Sequence, residues 1–406
     1  STPVTDNFRV GAALARLKRG GYGDNLVQSG VDNYNKDVFA ARLSAELDMT
    51  EKLSWRLSAD YVKDDSDPKQ GHRLLPGGPS GAPVLDDVYD TRAGLNVTEQ
   101  EVKGYGVSLV GEYEVNDFLT IKNILAYRDD ESTTPIDFDS LPVADLDVPA
   151  IYENDQFSEE LQFLFSGDKL NGLVGFYYLD ANAYTGFDVV LAQLGALISL
   201  PGLNAQTVGD VNTKTWSVFA DFTYDFTDQL SLAVGGRYTD DERDSTVLRT
   251  TYIGGFSDLF GGPGTAIATT SDFNGTNSWN DFSPRVSLSY KPTPDHNLYA
   301  TYSQGFKGGG FDPRGQTTAA PDLDQDGTVT AAEVYEFMAF DPEEVESIEV
   351  GLKSNLFGGR AQANVALFTM DYTDVQVPGS IGVDTNGDGV NDTFTGVTTN
   401  AGKAKI

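Results

Sequence analysis

Apolar and polar residues alternate one by one through segments long enough to cross a membrane, and this pattern constrains the fold more than any other feature. From Trp216 the even positions read Trp216, Val218, Ala220, Phe222, Tyr224 and Phe226, with Ser217, Phe219, Asp221, Thr223 and Asp225 between them. The next segment sets Leu230, Leu232, Val234, Gly236 and Tyr238 against Ser231, Ala233, Gly235, Arg237 and Thr239. The segments from Leu53 to Tyr61 and from Tyr105 to Val115 repeat it. A period of two places each set on its own face of a strand. One face is therefore apolar and aromatic, and the other is polar, charged or small. Strands of soluble sandwiches run to about 5–6 residues, whereas a tilted membrane-crossing strand needs about 9–11. Length favours the membrane.

Connections sharpen the reading because they alternate in length. Short turns pass through residues 50–52, 116–117, 227–229 and 358–359, and slightly longer ones through 167–169 and 292–297. Between these hairpins lie long segments at 64–103, 130–156, 184–213, 242–280, 306–344 and 374–392. An outer-membrane barrel has short periplasmic turns and long extracellular loops. The expected fold is all-β, an antiparallel transmembrane β-barrel wall of about fourteen strands. They fall near 8–17, 38–49, 53–63, 104–115, 119–129, 157–166, 172–183, 214–226, 230–241, 281–291, 297–305, 345–356, 361–373 and 393–400. Aromatics near segment ends, such as Trp55, Tyr61, Tyr127, Trp216 and Tyr302, suit interfacial girdles.

Composition agrees. Only 39% of residues are hydrophobic, yet the chain carries 43 Gly, 19 Tyr and 23 Phe. A wall strand shows lipid only every second residue, so low hydropathy and many aromatics coexist. No run of some 18 apolar residues offers a helical span. The longest candidate, Val189 to Leu203, is interrupted by Gln193 and Pro201. It reads as packing over its own loop's root, with a lid helix or ligand contact as the alternatives. A formal charge of −33 opposes nucleic-acid binding and mildly favours cationic or metal-bridged ligands. Between Asp130 and Gln156 there are eight acidic residues and no Lys or Arg.

Catalysis finds little material. The chain has no cysteine and, as histidines, His72 and His296 alone. Haem recognition through imidazole ligation is disfavoured on the same count. Adjacent acids such as Glu159-Glu160 and Glu343-Glu344 point to opposite faces of a strand. Gly308-Gly309-Gly310 opens no helix and reads as a flexible loop root. The chain is not expected to be an enzyme.

The sharpest local motif is residues 322–333, DLDQDGTVTAAE, which matches the twelve-position calcium loop of EF-hands. Asp322, Asp324 and Asp326 would supply carboxylates, Thr328 its carbonyl, and Thr330 a direct or water-mediated contact. Glu333 would bind through both oxygens, and Gly327 would permit the sharp turn. The segment before it cannot form a good entering helix, although 331–340 suits an exiting one. A second cluster has oxygen ligands at alternate positions: Asp384, Asn386, Asp388, Val390 through its carbonyl, and Asp392. Both lie in expected outer loops, 306–344 and 374–392, and both are candidate calcium sites.

Four segments resemble TonB-dependent outer-membrane receptors: NLYATYSQGFK at 297–307, PEEVESIEVGLKS at 342–354, ALF at 366–368 followed by DYTDVQ at 371–376, and GGRYT at 235–239. The resemblance takes in residues 1–406 as part of one barrel domain. It implies a full-length protein of about 22 strands with a plugged lumen. It further implies capture of a small-molecule or oligosaccharide ligand in the extracellular loops of a Gram-negative outer membrane. Import of a ferric siderophore, cobalamin or glycan would be driven by a TonB-type energy-coupling protein acting on the plug. No plug or TonB-contacting box precedes Ser1, and residues 400–406 look like the start of a further strand, so a fragment is expected. The competing functions are a passive porin-like channel and a calcium-stabilised surface binding or adhesion protein.

Overall fold

The computed structural model describes residues 2–95, 100–324, 326–384, 390–391 and 393–406, Thr393 by its backbone alone. Its wall is one antiparallel sheet of 15 strands. They are β1 (Thr2–Thr5), β2 (Phe8–Arg19), β3 (Lys36–Thr50), β4 (Leu53–Asp64), β5 (Glu101–Asn116), β6 (Leu119–Asp137), β7 (Asp147–Ser166) and β8 (Leu170–Val190). There follow β9 (Asn204–Asp225), β10 (Leu230–Ile253), β11 (Thr265–Thr293), β12 (His296–Lys307), β13 (Glu343–Leu356), β14 (Ala361–Thr373) and β15 (Ala404–Lys405). Each strand pairs with its neighbours in sequence, the order that successive hairpins produce. Among the described residues β1 and β15 do not pair with each other.

The register carries the alternation from strand to strand. Tyr178 stands opposite Trp216, Val218 opposite Tyr238, and Tyr238 opposite Phe282. The same face continues from Leu14 opposite Ala41 to Leu352 opposite Val365. Partners directly across a ladder share a face, so these residues form one continuous apolar band. It is exposed: Leu43 by 60%, Val234 by 50% and Leu367 by 75%. An apolar surface of this extent is foreign to soluble monomers and natural against lipid. One polar interruption is Asn123, whose Nδ2 donates to Glu159 Oε1 at 3.1 Å. Glu160, next along β7, falls on the other face opposite Ile124.

That second face is polar and held by ion pairs. Arg285 Nη1 reaches Asp221 Oδ2 at 2.9 Å, and Arg128 Nη2 reaches Asp60 Oδ1 at 2.8 Å. Glu46 accepts Arg9 Nε and Arg56 Nε, each at 3.1 Å. The Arg237 guanidinium lies 5.2 Å from the Tyr177 ring and 5.3 Å from the Phe219 ring. Glycine makes room for such rings: a Cβ on Gly175 would stand 2.3 Å from Phe219 Cζ.

At one end of the sheet the strands turn tightly, as through residues 51–52, 117–118 and 167–169. At the other end the expected long loops are mostly strand. β6 and β7 run on through much of 130–156, β8 and β9 through 184–213, and β10 and β11 through 242–280. The irregular tips shrink to 138–146, 191–203 and 254–264. Above the membrane both faces of a strand meet water, so the apolar alternation that marks the wall disappears while the backbone ladder continues. Residues 393–400 correct the expectation further. They do not join the wall but pair with Gln376–Val383 as a separate hairpin. The strand after β14 in the wall is β15 instead, with Ala404 opposite Tyr372.

Buried hydrophobic residues gather at this outer end. Ala93, Leu95, Leu141 and Ala144 are buried there, and Val247, Phe273, Phe311 and Met338 pack as one cluster. The wall itself needs no core because lipid takes its place.

Candidate metal centres on the outer side

The 308–342 connection is a folded unit rather than a loose loop. Gly310 pairs with Phe340 and Phe311 with Ala339. A Cβ on Gly309 would stand 2.5 Å from the Phe340 carbonyl and 2.6 Å from the Trp279 ring. Gly308 to Gly310 are therefore a close-packed seat, which corrects the reading of a flexible root. The neighbouring 376–400 hairpin leans on this unit. Gln376 Nε2 donates to Gly308 O at 2.9 Å and Asp341 O at 3.0 Å, and Thr398 Oγ1 donates to Asp312 Oδ2 at 2.8 Å.

Within it the motif at 322–333 adopts a wrapped loop leading into helix α2, the second of two short helices, α1 (Ala192–Leu197) and α2 (Ala331–Met338). Gly327 has φ +90°, the left-handed backbone that the sharp turn needs. Asp322 Oδ2 accepts the Gly327 N–H at 2.7 Å, and Asp322 Oδ1 and Asp324 Oδ1 each accept the Asp326 N–H at 3.2 Å. Thr330 caps α2 in a reciprocal box: its N–H donates to Glu333 Oε2 at 2.7 Å, and its hydroxyl accepts from the Glu333 N–H. Glu333 Oε1 accepts the Leu323 N–H at 2.7 Å. The Thr330 and Leu323 donors hold the Glu333 carboxyl below its usual range.

Of the predicted ligands, Asp322, Asp324 and Glu333 come together, with one carboxylate oxygen from each within 4.8 Å of the others. Asp326 does not join them, and its Oδ1 accepts the Thr328 N–H at 2.8 Å. Thr330 is turned to Glu333, its hydroxyl donating to Oε2 at 2.8 Å. The donor set is all oxygen, which suits calcium rather than a transition metal. Each carboxylate offers about four lone-pair sites, so one or two N–H bonds leave capacity for an ion. In the second cluster Asp384 and Val390 are described, whereas Asn386, Asp388 and Asp392 lie outside the described residues.

The run from Val189 to Leu203 closes on itself at the base, where the Leu191 N–H donates to Leu203 O at 3.0 Å. Its tip departs from the self-packing expected, because α1 leaves Leu197 71% exposed.

Sequence reading missed a third set of acids: Asp137, Asp139 and Asp147, all buried, with an oxygen from each within 4.8 Å of the others. Burial pushes the Asp147 carboxyl up to about 8, helped by the charges of Asp137 and Asp139, and the Asp139 carboxyl up to about 6. Asp137 moves in the same direction for the same first reason. The available signal was the spacing: Asp137 ends one strand, Asp139 follows two residues on in the tip, and Asp147 opens the next strand.

Known proteins carry the same architecture. The structure resembles the ferric yersiniabactin uptake receptor FyuA from Yersinia pestis with TM-score 0.70 at 16% identity, over 99% of this chain and 53% of that one. It resembles the closed form of the ferric-catecholate import receptor Fiu from E. coli K12 with TM-score 0.62 at 15% identity, over 100% of this chain and 58% of that one. The siderophore receptor PiuA from Acinetobacter baumannii matches with TM-score 0.63 at 14% identity, over 93% and 55%. The chain thus spans little more than half the length of these proteins. At such identity the likeness establishes the fold. The sequence model of the family described as "TonB dependent receptor-like, beta-barrel" matches residues 2–406, essentially the whole wall. The chain belongs to the TonB-dependent receptor family, whose β-barrels lie in the outer membrane.

Proposed function

We propose that this chain is part of the wall of a receptor that imports a ferric siderophore across the outer membrane with energy delivered by a TonB-type partner. The observation that carries it is the match of residues 2–406 to the family's barrel, the span over which the 15-stranded wall described above runs. The similar structures named for ferric-ligand uptake support that substrate class. The ion-paired lumenal face suits a polar plug, and the packed outer loops suit a ligand platform. Cells lacking the receptor should lose uptake of a radiolabelled ferric siderophore, and cells lacking the TonB-type partner should lose it equally. Undiminished uptake without the partner, or a steady passive conductance of the purified protein in planar bilayers, would overturn the reading in favour of a porin.

We also propose that the outer loop at 322–333 binds calcium through Asp322, Asp324 and Glu333, with the Thr328 carbonyl as a further ligand, to fix the platform's shape. Support comes from the match of residue type to position and from the three converging carboxylates. With few carboxylates and high exposure, a Kd of about 10⁻⁴–10⁻³ M is expected. Glu333→Gln is the discriminating variant, because glutamine can still complete the capping box but carries no charge. It should leave α2 in place while abolishing this calcium event in isothermal titration. Calcium binding equal to wild type in that variant would refute the assignment.

A further inference from the structure

The hairpin of β6 and β7 ends in the buried acids Asp137, Asp139 and Asp147, which the 322–333 loop does not touch in sequence and the proposed import does not use. Asp137 stands directly opposite Asp147 in the register. The three are 5%, 3% and 4% exposed. Asp139 is fixed by backbone donors: the N–H groups of Leu141 at 2.8 Å, Leu146 at 2.7 Å and Asp145. Asp137 accepts from the Ser140 N–H at 2.6 Å and from the Leu95 N–H at 3.2 Å.

Asp147 differs. Its Oδ1 is buried with no hydrogen-bond partner among the described residues, and so is Oδ1 of the adjacent Asp145. Among those residues no Lys or Arg forms a salt bridge with any of the three acids. Arg73 comes near, but its Nη1 donates to the Asp139 carbonyl at 2.8 Å rather than to a carboxylate. An unpaired buried acid oxygen is costly, and the mutual repulsion of three buried carboxyls facing one another adds to it. A cation between them removes the cost.

We propose that Asp137, Asp139 and Asp147 hold a divalent cation of the hard, oxygen-preferring class, calcium, and that it clamps the 65–95 segment onto the β6–β7 hairpin. The donor set contains neither sulfur nor imidazole, which sets aside the softer transition metals. The clamp follows from what the acids touch. Leu95, whose N–H reaches Asp137, is buried, as are Ala93 of the same segment and Leu141 of the hairpin tip. The Gly94 N–H donates to Leu141 O at 2.9 Å, and Ser140 Oγ donates to Gly71 O at 2.9 Å. A Cβ on Gly94 would stand 2.5 Å from the Pro142 carbonyl, so loop and hairpin meet backbone to backbone. An ion at the acids therefore orders both partners of that contact.

The test uses the receptor that carries this chain, purified in detergent, with calcium and terbium as probes. In a background carrying Asp322→Ala and Asp384→Ala, which disables the 322–333 loop and the candidate at 384–392, one calcium event and one terbium luminescence signal should remain. Adding Asp147→Asn should abolish them, and Asp139→Asn should do the same as an independent variant. Trypsin cleavage after Lys69, Arg73 and Arg92 supplies a second readout. At calcium about 100 times Kd, opening of the loop should fall about 100-fold, and Asp147→Asn should lose this protection. The proposal is overturned if the protein carrying Asp322→Ala and Asp384→Ala binds no further calcium. It is equally overturned if Asp147→Asn slows cleavage by itself and calcium adds nothing, because the acids are then held neutral by protons.

Discussion

Replacing Met338 with alanine is expected to loosen the 308–342 unit by about 2–5 kcal/mol while the wall stays folded. Met338 is 1% exposed and closes a cluster with Val247 of β10, Phe273 of β11 and Phe311. Phe273 and Phe311 pack at a tilt of 52° with centroids 5.1 Å apart, and Tyr335 of α2 meets Phe311 edge-on at 5.3 Å. Truncation removes the thioether that fills the space between these rings and the strands, and a rigid sheet beneath cannot collapse into the gap. The loss stays local, since the cluster joins one loop to strand ends above the lipid band. Amide exchange over 334–340, and at Asp312 whose N–H donates to Met338 O at 3.0 Å, should accelerate. A loss of even 2 kcal/mol raises the open fraction about 30-fold. Calcium affinity of the 322–333 loop should fall in parallel, because the ion must then order α2 itself. Unchanged exchange, or melting of the wall together with the loop, would show that the cluster is not what anchors this unit.

Residue patterns in the sequence reveal the wall and hide the outer architecture, and the reason is solvent. Within the lipid each strand has one apolar side and one wet side, so Leu230 to Thr239 reads unmistakably as a strand. Beyond Tyr238 the same strand continues as Asp240-Asp241-Glu242-Arg243-Asp244, charged on both faces, and only the ladder with β9 and β11 tells that it is still β. Residues 393–400 erred the other way. Threonines at 393, 395, 398 and 399 with Phe394 and Val397 suit a strand, but nothing local says that its partner is 376–383 rather than the wall. The calcium motif was legible because its ligands fall within twelve residues. Asp137, Asp139 and Asp147 were not, since their meeting depends on a nine-residue tip, 138–146, folding back and on a loop from between β4 and β5 covering it.

The assignment of faces makes the second large prediction, a contrast between neighbours. Val234→Arg should destabilise the folded barrel in lipid by about 2–4 kcal/mol, the cost of an arginine facing lipid near mid-bilayer. Val234 lies on the apolar band, 50% exposed, opposite Phe222 on one side and Val286 on the other. It sits between the Tyr290 level, where Leu230 pairs, and Tyr238, so both headgroup regions are beyond easy reach of its side chain. Ala233→Arg, one residue earlier, should change stability by no more than about 0.5 kcal/mol. Ala233 faces Thr223 and Ser287 on the polar side, where small neighbours leave room and Arg285 and Arg237 already stand nearby along the strands. Urea unfolding from lipid vesicles, with Val234→Leu as the control for shape, measures both. A one-residue shift inverts every side chain of a strand. Equal effects would therefore mean that the band is not the lipid face, and a larger cost at Ala233 would mean that the wall is inside out.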